Sequence, residues 1–147
     1  MRTARHPILE CSSALIRQKG QQEMGSARPE LVSKSLVAFL RKGDLDGVMG
    51  LYEANAAFVD FDGVARGLPA IRAAHERFLN SGHTLTLNDQ VVFEAEDIAL
   101  VHWSWTVDRV DGHSMEGVSA EVLRRQADGS WRFIIDNSDG SALVGVF

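Results

Sequence analysis

Three carboxylates stand where acid–base chemistry could use them. Asp60 ends a short apolar stretch just ahead of an Asp62-Gly63 turn. Glu121 lies inside the apolar run from Val118 to Leu123, and Asp136 lies between Ile135 and Asn137. A carboxylate at a pocket edge can take a proton from the carbon beside a carbonyl and return it elsewhere. A carboxyl enclosed by apolar groups is pushed toward its neutral form and can then donate a hydrogen bond. Strand alternation puts Ser119 and Leu123 on the face of Glu121, and Ile134 and Ser138 on the face of Asp136. Asp62 alternates onto the face of Asp60 if the strand continues. Each acid also has a plainer reading. Asp60 and Asp62 suit the start of a turn. Glu121 could pair with Arg124 or Arg125, and Asp136 with Arg132 or a neighbouring amide.

The other chemistry-bearing residues are less pointed. Trp103 and Trp105 share one strand face with Val101 and Val107, while His102, Ser104 and Thr106 share the other. Two indoles on one face suit either a core or the wall of a pocket for a planar ligand. His75 and His83 are expected at the surface or near a helix end, where imidazolium is favoured. His113 falls in a turn. No three histidines have ligand spacing on one element, so no metal is expected. No nucleophile elbow, P-loop or dinucleotide fingerprint is present, and no cofactor is expected.

These residues need a scaffold. The 147 residues suit one domain, and 45% hydrophobic content is enough for a core. A net charge of −5 with scattered basic residues argues against nucleic acid. No apolar run is long enough to span a membrane. The single cysteine, Cys11, allows no internal disulfide and suggests a reducing cytoplasm. Residues 1–28 read as an extension, either a loose tail or one short helix, with Met24 as an alternative start. The domain is expected over 29–147.

Pro29 to Lys42 reads as an amphipathic helix carrying Val32, Leu36, Phe39 and Leu40 on one side. Gly43 stops it, and Asp44 caps a second helix from Leu45 to Tyr52. A strand over 56–61 and a helix opened by Gly67-Leu68-Pro69 follow, the latter with the stripe Ile71, Ala74, Phe78, Leu79. Four strands then run over 84–95, 98–108, 114–126 and 131–138. Asp111-Gly112 and Asp128-Gly129 favour tight hairpins between them. Helices gathered on one face of such a meander make an α+β domain.

The string LRKGDLDGVMGLYEANAAFVDFDG resembles the opening of ketosteroid isomerases. The ending EVLRRQADGSWRFIIDNSDG resembles the last hairpin of SnoaL-like and YybH-type proteins of the nuclear transport factor 2-like superfamily. The resemblance implies a cystatin-like cone, with three N-terminal helices packed on a curved mixed or antiparallel sheet. It implies that Asp60 is a general base and that Glu121 holds the place of a protonated oxyanion donor. It turns Asp136 into the cavity as a second acid. Phe58, Trp103, Trp105, Ser119, Leu123 and Ile134 become the binding walls. A homodimer joined through the outer sheet face is the family expectation. The isomerases' tyrosine donor is replaced by Leu36, and the only tyrosine, Tyr52, is expected on another helix. The implied function is cofactor-independent proton transfer on a small hydrophobic carbonyl compound, by isomerisation, cyclisation or dehydration. The alternatives are a binding or association domain, and an epoxide hydrolase for which Arg125 is the nominee between Asp60 and Asp136.

Overall fold

The structure, a computed structural model, describes residues 27–140. The predicted extension up to residue 26, with Cys11 and Met24, lies outside the described residues. The elements are α1 (Pro29–Lys42), α2 (Leu45–Met49), β1 (Tyr52–Asp60), β2 (Gly63–Arg66), α3 (Leu68–Asn80), β3 (Thr84–Ala95), β4 (Ile98–Asp108), β5 (Ser114–Arg125) and β6 (Trp131–Asn137). No helix among them is long and apolar enough to cross a membrane.

The predicted punctuation acts as its chemistry requires. Pro29 opens α1, and Gly43 closes it in the left-handed region at φ 67°. The Asp44 carboxylate accepts from the Gly47 amide and starts α2. That helix ends at Met49, three residues short of the expected end. The Leu51 carbonyl instead accepts from the Phe133 amide at 2.8 Å, and Tyr52 opens β1 opposite Phe133. Gly47 and Gly50 weaken the helix here, so strand pairing outweighs its continuation. After the expected turn at Asp62-Gly63, β2 folds back on β1 with Asp60 opposite Gly63.

The six strands lie in the order β2-β1-β6-β5-β4-β3. The β3 to β6 meander is antiparallel, and β1 joins β6 in parallel, so the sheet is mixed. One irregularity matters for the site. Val122 pairs with Ile135 but Leu123 pairs with Phe133, which leaves Ile134 as an extra residue in β6. The bulge resets the alternation, so Phe133 and Asp136 both turn inward although three positions apart. α1 and α3 cover the inner face. Their Val32, Leu36 and Ile71 pack with Tyr52, Val101, Trp103, Leu123 and Phe133 from the sheet. Each such side chain contributes roughly 1.5–3 kcal/mol by leaving water.

β5 carries one glycine with a packing reason. A Cβ on Gly117 would lie 2.3 Å from Cζ2 of Trp105. The indole therefore lies over the glycine, with its Nε1 donating to the Ser138 carbonyl at 2.9 Å. Gly117→Ala is expected to push the ring aside, break that bond and cost about 1–3 kcal/mol. A shift in tryptophan emission together with a lower denaturant midpoint would report it.

Candidate functional site

Between α1, α3 and the inner face of the sheet lies a cavity of about 230 Å³. Its polar floor combines Ser33 of α1, His75 of α3, Ser119 and Glu121 of β5, and Asp136 of β6. Leu36, Leu40, Phe58, Phe78 and Trp105 are among its apolar walls. Asp60, Phe61 and His83 also line it, toward the more exposed end. No lysine or arginine among the described residues lines the cavity.

Glu121 and Asp136 face each other directly across the β5–β6 pair, each only 3% exposed. The Ser33 hydroxyl donates to one oxygen of Glu121, and Ser119 donates to the other at 3.0 Å. Tyr52 donates its hydroxyl proton to Asp136, and its oxygen lies 2.9 Å from Nε2 of His75. Burial pushes the Glu121 carboxyl up to about 8, reinforced by the negative charge of Asp136. Burial also raises Asp136, to about 6, while the bond from Tyr52 works the other way. The two therefore titrate as a pair, both held above the usual carboxylate range. Burial lowers His75 to about 4, so its ring is neutral. Burial and the adjacent Asp136 push the Tyr52 phenol well above its usual range.

Asp60 does both of the things its sequence position allows. It lines the cavity, and its Oδ1 accepts from the amides of Asp62 at 2.9 Å and Gly63 at 3.1 Å. Arg77 stands 3.9 Å from its other oxygen and 3.8 Å from Asp62. Strand pairing sets Phe58 beside Asp136. Asp60 is two residues further along β1, roughly 7 Å from that point.

Of the expected site residues, Phe58, Asp60, Trp105, Ser119, Glu121 and Asp136 meet in this cavity. Trp103, Leu123 and Ile134 are not among its lining residues. Trp103 and Leu123 face inward as alternation required, but they lie further along their strands, where the helices fill the space. Ile134 is displaced by the bulge. Arg125 is also elsewhere, over the Trp131 ring and beside Asp97, so it does not stand between Asp60 and Asp136. Among the described residues, no three His, Cys, Asp or Glu side chains gather in a way that could hold a metal ion.

Two expectations need correcting. His75 is buried, 4% exposed, rather than a surface residue. The signal was present, because Ile71, Ala74, His75 and Phe78 follow the i, i+3, i+4, i+7 stripe of a buried helix face. Tyr52 is on a strand, not a helix, and its hydroxyl supports Asp136 from behind the cavity wall. Leu36 is a wall residue.

Residues 34–134 match the SnoaL-like domain. The chain belongs to this family. Solved structures place the SnoaL-like domain among cystatin-like, nuclear transport factor 2-like folds. A protein of unknown function from Nostoc punctiforme with a cystatin-like fold aligns at TM-score 0.65 and 16% identity, over 88% of this chain and 91% of its own. A protein from Shewanella frigidimarina, provisionally named a ketosteroid isomerase, aligns at 0.61 and 22%, over 72% and 89%. A protein of the nuclear transport factor 2-like family from Streptomyces avermitilis, provisionally named a dehydratase, aligns at 0.62 and 15%, over 80% and 95%. No curated protein matches the SnoaL-like chain.

Proposed function

We propose that this SnoaL-like domain is a cofactor-independent proton-transfer enzyme acting on a small hydrophobic carbonyl compound. The observation that carries the reading is the Glu121–Asp136 pair. Two buried carboxyls lie opposite each other on the floor of an apolar cavity that no lysine or arginine among the described residues lines. Such a pair holds an acid and a base at one place at the same pH. Asp136 takes the proton beside the carbonyl, and Glu121 delivers its own proton to the carbonyl oxygen or to a leaving hydroxyl. The first course gives a dienol, which takes the proton from Asp136 at a more distant carbon and returns its hydroxyl proton to Glu121, so the double bond moves; the second releases water. Ser33 and Ser119 hold Glu121, and Phe58 and Trp105 flank the substrate. Asp60 is the alternative base, because it lines the same cavity and matches the isomerase position. The names given to two of the structural relatives, isomerase and dehydratase, belong to the same kind of chemistry.

The test is turnover of a panel of cyclic enones and β-hydroxy ketones without added cofactor. Proton exchange or water loss that depends on Asp136 or Asp60 supports the reading. Binding without turnover across the panel would reduce the domain to a binding module.

The family's homodimer is also proposed, through the outer face of the sheet. Phe93, Leu100, Val118 and Ile135 are exposed, and cross-strand pairing sets Phe93 beside Leu100. Leu100→Lys is expected to shift the protein from dimer to monomer in sedimentation at micromolar concentration, with the fold retained.

A further inference from the structure

The buried imidazole of His75 has a task that packing alone does not explain. A histidine that merely fills a core has both ring nitrogens satisfied or sealed away. Here Nε2 is 2.9 Å from the Tyr52 oxygen, while no hydrogen bond engages Nδ1 among the described residues. The ring forms part of the cavity wall, and Phe58 stacks on it at 4.6 Å and 29°. Tyr52 itself is fully buried and does not line the cavity.

The hydrogen-bond chain fixes the tautomer. A tyrosine hydroxyl has one proton to give. Tyr52 gives it to Asp136, so toward His75 its oxygen can only accept. Nε2 must then carry the hydrogen, and Nδ1 is left with a lone pair. The low basicity of the buried ring keeps that lone pair free.

We propose that His75 is a ligand-positioning residue whose Nδ1 accepts a hydrogen bond from a hydroxyl on the bound molecule. The substrate class then narrows to carbonyl compounds that also carry a hydroxyl. The hydroxyl is read by His75 and the carbonyl by Glu121. An anionic ligand is disfavoured, because two carboxyls stand on the cavity floor and no lysine or arginine among the described residues lines it. The inference builds on the proposed function, but its test reads affinity and tautomer rather than turnover.

The experiment has two arms. Nitrogen-15 NMR of labelled histidine in the native protein is expected to show His75 as the Nε2–H tautomer, and Tyr52→Phe is expected to relax that preference. The second arm compares 2-naphthol with 2-methoxynaphthalene as probes. The native protein should favour the naphthol by about three- to tenfold, the worth of one neutral hydrogen bond. His75→Gln keeps an N–H near Nε2 but has no acceptor at Nδ1, and should erase the preference. His75→Asn puts an amide oxygen near Nδ1 and should keep it. An Nδ1–H tautomer, equal affinity of the native protein for the two probes, or a preference that survives His75→Gln would overturn the proposal. If these results hold while the carbonyl panel gives no turnover, the enzymatic reading fails and the hydroxyl site stands.

Discussion

Asp136→Asn is expected to lower turnover by about 10²- to 10⁴-fold, the usual contribution of a placed general base. Asparagine keeps an oxygen for the Tyr52 hydroxyl, so the floor retains its shape and the loss reports charge and basicity. The native pH–rate profile should be bell-shaped. Its acid limb follows the base near 6 and its alkaline limb the acid near 8, both belonging to the pair rather than to either residue. In Asp136→Asn the acid limb should vanish. The alkaline limb should also move down, because the charge that helps to raise Glu121 is gone. If Asp60 is the base, the outcomes exchange. Asp60→Asn then takes the large loss, and Asp136→Asn mainly shifts the alkaline limb. Profiles of kcat/KM against pH for the native protein and both variants separate the two assignments.

Glu121→Gln is expected to stabilise the protein at alkaline pH and to flatten its pH dependence. An unfolded glutamate ionises near 4.5, whereas folded Glu121 keeps its proton to about 8. Between those values the native state binds more protons than the unfolded chain, so stability falls as pH rises. Asp136 adds the same sign of slope between about 3.8 and 6. His75 has the opposite sign. Unfolded histidine takes up a proton below about 6.5 that the buried ring refuses until about 4, so its contribution rises with pH over that range. From pH 6.5 to 8 only the Glu121 slope remains among these three. One proton corresponds to about 1.4 kcal/mol per pH unit, so the native protein should lose roughly 2 kcal/mol over that span. Glutamine cannot ionise and can still meet Ser33 and Ser119. Thermal unfolding at pH 6.5 and pH 8 should show the native Tm falling by several degrees and the variant's holding. An equal fall in both proteins would mean that Glu121 ionises in the folded state as it does in the unfolded chain.

The parts of the site that could be read in the sequence were those set by local rules. Ser119 and Glu121 share a face because alternation within β5 is undisturbed, and Trp105 turns inward for the same reason. Other parts depend on contacts between distant segments. Tyr52 follows a helix pattern, and only pairing with Phe133 makes it a strand residue. Ile134 was placed on the face of Asp136 by simple alternation, which the β6 bulge breaks. His75 was legible in its helical stripe, but a polar residue in that stripe finds its reason only once Tyr52 arrives, 23 positions earlier in the chain.

The sequence by itself determined the periodicities, and with them the helices, the long strands and the inner face of the sheet. Helical and strand periods are properties of the local backbone, so α1, β3 and β4 have the bounds that their residues imply. It also determined that carboxyls would stand among apolar neighbours. Tertiary structure alone decided which carboxyls become partners. Glu121 and Asp136 meet through a strand pairing whose register is shifted by one bulge. Their ionisation then follows from enclosure, from each other's charge and from hydroxyls supplied by Ser33, Ser119 and Tyr52. Their raised pKa values are a property of that assembly, because the cost of a buried charge exists only after the helices close the cavity from water.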